Sequence, residues 1–177
     1  ENLGGLYLPG GYPELYAREL SENTALRQQI CKAVTDGLPT VAECGGFLYL
    51  GQQLEDSQGV NYPMAGVLPG TAQRQQRLVR FGYTTLTARQ DSLLFEKGEQ
   101  IPVHEFHYWD STHNGEDFEA IKPVTGKSWT CGFAGPSLYA AFPHLYLGGN
   151  TRLAERFVKA AAVYAARCSA REDKKEE

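Results

Sequence analysis

The sequence predicts an α/β fold built on a parallel sheet. Two observations carry this reading. Short apolar extended segments alternate with helical ones through the N-terminal third, and each strand-to-helix junction holds a pair of glycines. That order, strand–helix–strand–helix, implies parallel strands joined by right-handed crossovers.

The elements follow in order. Gly5-Leu6-Tyr7-Leu8 reads as a buried strand starting almost at residue 1, which predicts a fragment of a longer polypeptide. After Pro9-Gly10-Gly11-Tyr12, Pro13 suits the first position of a helix over roughly Glu14–Leu20. A second helix, about Thr24–Asp36, places Leu26, Ile30, Ala33 and Val34 on one face; Gly37 stops it and Pro39 follows. Thr40-Val41-Ala42-Glu43 is a short strand, Cys44-Gly45-Gly46 a turn, and Phe47-Leu48-Tyr49-Leu50 opens the next helix. Alternation around Val79, Phe81 and Tyr83 predicts strand within 73–89. Ile101–Trp109 is also extended, with Phe118–Gly126 as its expected partner. From Lys127 to Leu147, alternating small and aromatic residues suggest strands joined by a turn at Gly135-Pro136. Asn150 or Thr151 caps a long helix with Leu153, Phe157, Val158, Ala161 and Ala165 inward.

With 177 residues and neither an internal repeat nor a Ser/Gly linker, the chain reads as one domain, 1–170. Residues 171–177 form a charged end expected to be disordered. No apolar run approaches the ~18–20 residues of a membrane span, and a net charge of −4 argues against a sequence-blind grip on nucleic acid. A cytoplasmic protein with reduced thiols is expected. Its four cysteines, Cys31, Cys44, Cys131 and Cys168, include no C-x-x-C pair, so neither a zinc site nor a disulfide framework is predicted.

Among the thiols, Cys44 stands apart. It ends a strand, two glycines follow, and a helix begins, as at a nucleophile elbow, although the spacing is A-E-C-G-G rather than G-x-S-x-G. Such a turn needs residues without Cβ beside the nucleophile. The helix N-terminus favours thiolate, and the Gly45 N–H points at a developing oxyanion. A buried cysteine beside an incidental turn is the competing reading. Cys31, Cys131 and Cys168 read as packing residues.

A thiol nucleophile needs a base. His144, in Phe142-Pro143-His144-Leu145, suits an imidazole held by a sheet, and equally a satisfied core histidine. His104-Glu105-Phe106-His107 fails the H-E-x-x-H spacing. In an extended segment its two histidines face opposite ways, so substrate contact or structure is preferred to metal ligation. Gly126-Lys127-Ser128 lacks the first glycine of a P-loop, since position 121 is Ile121.

Four segments stand in the order and spacing of a known family: Leu6-Tyr7-Leu8-Pro9-Gly10-Gly11-Tyr12-Pro13-Glu14, Ala42-Glu43-Cys44-Gly45-Gly46-Phe47-Leu48-Tyr49-Leu50, Met64-Ala65-Gly66-Val67-Leu68-Pro69 and His104-Glu105-Phe106-His107-Tyr108. Up to about Tyr164 the chain resembles the C-terminal glutaminase domain of the cobyrinic acid a,c-diamide synthases. These are class I, triad-type glutamine amidotransferases of the cobyric-acid-synthase-like branch. The resemblance implies a three-layer, flavodoxin-like fold with a mainly parallel central sheet, here lacking its first strand and helix. It implies glutamine as substrate, with ammonia passed to an N-terminal synthetase domain that uses ATP and Mg²⁺ to amidate the a and c carboxylates of a corrinoid. No cofactor is expected in this fragment itself.

By the same resemblance Cys44 is the nucleophile and His144 the base, while Gly45 and one of Gly10 and Gly11, with Gly11 favoured, supply oxyanion N–H groups. Gly10, Glu43, His104, Glu105 and His107 are candidates for substrate or domain-interface contacts. Typical class I enzymes carry a Glu two residues after the histidine. Here that position is Tyr146, as in the cobyrinate branch, which leaves the group orienting His144 open. Exposed apolar edges would favour a homodimer. Alternatives are the same chemistry in a nickel-sirohydrochlorin a,c-diamide synthase, a non-catalytic docking domain, or another Cys–His hydrolase such as a peptidase.

Overall fold

The computed structural model describes residues 3–173. The elements are β1 (Leu6–Leu8), a 3-10 turn (Pro13–Tyr16), α1 (Ala17–Glu22), α2 (Thr24–Thr35), β2 (Thr40–Glu43), α3 (Gly45–Leu50), β3 (Gln53–Glu55), β4 (Asn61–Pro63) and β5 (Thr71–Arg74). They continue with β6 (Arg80–Ala88), β7 (Gln100–His107), β8 (Trp109–Ser111), β9 (Phe118–Ile121), β10 (Ser128–Cys131), β11 (Phe133–Gly135), β12 (Leu138–Ala141), β13 (His144–Leu145) and α4 (Thr151–Asp173).

The predicted parallel pairing forms the centre. β1 and β12 flank β2, both parallel to it, and β11 adds an antiparallel edge. All four β2 residues are buried, as expected of a strand covered on both faces. Alternate side chains feed two cores. Val41, Tyr139 and Ala141 face Leu86, Phe95, Phe118 and Leu153, while Ala42 and Ala140 face Phe47, Leu50, Leu54 and Met64.

Two further sheets surround this centre, one antiparallel (β10-β9-β6-β7-β13) and one mixed (β4-β3-β5-β8). The pairing expected between Phe118–Gly126 and Ile101–Trp109 does not form. β6 lies between them, taking β7 on one edge and β9 on the other.

The helices differ in detail from the pattern reading. The first opens as the 3-10 turn before α1, with Pro13 at its start as predicted. Asn23 caps α2 by accepting the Leu26 N–H at 3.2 Å. On α4, Leu153, Phe157 and Ala160 pack against the core, but Val158 is exposed because it lies about a quarter turn off that stripe. Arg156 ties α4 to the body, donating to the Leu94 carbonyl at 2.6 Å and pairing with Glu96 and Glu99. The helix continues to Asp173, so of the charged end only residues 174–177 lie outside the described residues. Among the described residues no helix is long and apolar enough to cross a membrane.

Candidate active site

Cys44 sits where β2 ends, at φ +47° and ψ −103°, the one non-glycine residue with positive φ among those described. A side chain held in this sparsely allowed region is strained, and the surroundings enforce it. The Cys44 N–H donates to the Ala141 carbonyl at 2.8 Å, while its own carbonyl accepts from Leu48 N–H at 3.0 Å, starting α3. The elbow is packed from outside by glycines. A Cβ on Gly46 would stand 2.3 Å from the Leu8 carbonyl oxygen, and one on Gly45 would stand 2.7 Å from that of Gly11. Only hydrogen fits at either position.

His144 reaches the same place by topology. β12 runs parallel to β2 with Ala141 opposite Glu43, so both chains leave the sheet at the same end, where α/β sheets bind their ligands. Three residues past β12, β13 pairs with β7, placing His144 opposite His104. Interactions with Cys44 first, then with Glu43, push the His144 imidazole pKa up to about 10. Gly10 lies against the ring. A Cβ there would stand 2.4 Å from His144 Cε1.

Glu43 is 3% exposed. One carboxylate oxygen accepts the Leu145 N–H at 3.0 Å; the other lies 3.5 Å from His144 Nδ1. Burial first, then the nearby Glu43 carboxylate, pushes the Tyr7 hydroxyl up to about 12. From the sequence Glu43 is a contact residue and the group beside His144 stays open. The signal was present: a carboxylate directly before the candidate nucleophile, on a strand otherwise read as buried. Tyr146, two residues after His144, is 76% exposed.

The His104–Tyr108 segment divides by strand alternation. His104 and Phe106 face outward from β7, where His104 packs edge-on against Phe81 and Tyr83. Glu105 and His107 face inward, 3.3 Å apart, and the His107 ring stacks on Phe142 at 3.7 Å. His107 also meets the Trp109 carbonyl at 2.7 Å. His107 lines the Cys44 pocket together with Gly11, Tyr12, Glu14, Leu48, Phe106, Tyr108 and Trp109; Glu105, 2% exposed, lines a separate small cavity behind it. Cys131 in that second cavity has its thiol pushed up to about 12, mainly by burial.

The chain is similar to proteins of a known family. The model of the CobB/CobQ-like glutamine amidotransferase domain matches residues 1–151. The chain belongs to that family. Relatives include proteins named cobyrinate a,c-diamide synthase: one from Dehalococcoides mccartyi, 37% identical over 164 residues, or 90% of this chain and 35% of that protein. One from Synechococcus is 39% identical over 158 residues, 88% of this chain and 34% of that protein, and one from Salmonella typhimurium is 36% identical over 160 residues, 88% and 35%. The chain thus spans about a third of the length of these relatives.

Two solved structures share the fold. A putative GMP synthase subunit from Thermoplasma acidophilum matches with TM-score 0.53 at 16% identity, covering 96% of this chain and 78% of that one. A glutamine amidotransferase from Thermotoga maritima gives 0.50 at 16% identity, with 93% and 65% covered. The class I amidotransferase α/β fold expected from the sequence is therefore the fold of this family member.

Proposed function

We propose that this chain hydrolyses glutamine at Cys44 and supplies ammonia for ATP-dependent amidation of the a and c carboxylates of cobyrinic acid. The observation that carries the reading is the strained Cys44 elbow at the end of the parallel strands, with His144 coupled to Cys44 and Glu43 there.

His144 takes the thiol proton, and the sulfur attacks the side-chain amide carbon of glutamine. The oxygen that becomes negative is received by the N–H groups of Gly45 and Gly11, whose backbones are in contact beside Cys44. As the tetrahedral adduct collapses, the C–N bond breaks and His144 returns its proton to the leaving nitrogen, releasing ammonia. Water then attacks the glutamyl thioester, with His144 again as base, and glutamate leaves. Glu43 acts as a positioning residue: its carboxylate fixes the imidazole and offsets the charge that forms on it, the role of an orienting carboxylate in a triad.

The synthetase portion, the corrinoid acceptor, ATP and Mg²⁺ are assigned to the part of such proteins that lies outside this chain. No step at Cys44 runs through them.

Labelling of the full-length protein with diazo-oxo-norleucine, read by intact mass, tests the proposal. One adduct is expected, on Cys44, suppressed by glutamine and absent in Cys44→Ala. No adduct, or equal labelling of Cys31 and Cys168, would overturn it and favour a docking role.

A further inference from the structure

Glu14 lies on the 3-10 turn Pro13–Tyr16, shortly after Gly11, and is only 8% exposed. It lines the same pocket as Cys44, Gly11 and His107. A buried carboxylate is ordinarily paired with a cation or held by several donors. Here no lysine, arginine or histidine among the described residues forms an ion pair with it. The hydrogen bond it receives comes from its own backbone N–H, and burial pushes its carboxyl up from the usual range. The protein therefore keeps a poorly compensated acidic group beside its candidate nucleophile, at a cost to the empty state.

An incoming cation removes that cost. We propose that Glu14 receives the α-ammonium of the glutamine whose side-chain amide is presented to Cys44, so that the pocket selects an α-amino acid over a plain carboxamide. Only a short run of methylenes separates the amide of glutamine from its ammonium, so the receptor must share a pocket with the nucleophile. Tyr12, Tyr108 and Trp109 line the same pocket. Aromatic rings beside a carboxylate favour a bound cation. The inference rests on the glutaminase reading above and adds the group that recognises the substrate's amino end.

The test compares glutamine with 4-carbamoylbutanoate, which has the amide but no amino group, in full-length wild type, Glu14→Gln and Glu14→Asp. Wild type is expected to prefer glutamine by on the order of 100-fold in kcat/KM. Glu14→Gln should lose that preference through a raised KM for glutamine, with kcat within a few-fold, and should melt no lower than wild type. Glu14→Asp should retain most of the preference. An active wild type whose preference survives in Glu14→Gln overturns the assignment alone. A kcat loss shared by both substrates also overturns it, because it marks a proton-transfer role instead. A wild type inert to both substrates and to diazo-oxo-norleucine overturns the glutaminase reading, and this assignment with it.

Discussion

Glu43 and Cys44 are consecutive in the chain, yet both meet His144, one on each side of the imidazole's role. Cys44 leaves the strand through its positive φ, while Glu43 stays within the sheet with an oxygen 3.5 Å from His144 Nδ1. The proposed nucleophile and the group behind its proposed base are thus set by one bend.

Glu43→Gln is expected to keep the Leu145 N–H contact while removing the charge that supports an imidazolium. By analogy with the loss of an orienting carboxylate in other triads, kcat for glutamine should fall by about 10²–10⁴. The acidic limb of the pH–rate profile should also move to lower pH, because Glu43 helps raise the His144 pKa. Steady-state glutaminase assays across pH check both. An unchanged profile would show that another group orients His144.

Gly10→Ala should impair chemistry more than folding. Its Cβ would meet His144 Cε1 at 2.4 Å, and the ring is the part able to move. We expect at least ~10-fold lower kcat from the displaced base, with a melting temperature within a few degrees of wild type. Gly46→Ala meets the Leu8 backbone instead and should destabilise by ~2–3 kcal/mol, measurable by denaturant unfolding.

Stability should depend on pH through His144. Its folded pKa, about 10, lies above the ordinary value of 6.5. The contribution is therefore complete below pH 6.5 and is lost as pH rises through 10. Relative to His144→Asn, wild type should gain most in melting temperature at the acidic end and converge with the variant at the alkaline end. Parallel melting curves across this range would refute the coupling.

Cys131 should resist alkylation. Its thiol is pushed up to about 12, so at pH 8 the reactive thiolate is scarce as well as buried. Peptide mapping after brief iodoacetamide treatment should find Cys131 unmodified in the native protein and labelled once the chain is unfolded.

Much of the architecture was legible in the sequence because local physics produced it. The Gly-Gly turns, the all-apolar start of α3 and the stop at Gly37 depend on nearest neighbours, and the predicted β2 matches residue for residue. Cys44 was legible for the same reason, since a strand, a cysteine and two glycines are contiguous. The partner of β9 was not, because alternation shows which side chains face inward but not which strand lies alongside. Val158, next to the packed Phe157 in sequence, turns to solvent because one residue on a helix is about a quarter turn.

By itself, then, the sequence determined the α/β class, the elbow at Cys44 and the family. Only the tertiary structure decided what surrounds the thiol. His144 lies a hundred residues from Cys44 in the chain, and β2–β12 pairing brings the two together. The same pairing set Glu43 behind His144, and packing buried Glu14 with no ion-pair partner among the described residues. Burial sets the electrostatic worth of a carboxylate, and no local pattern of residues reports it.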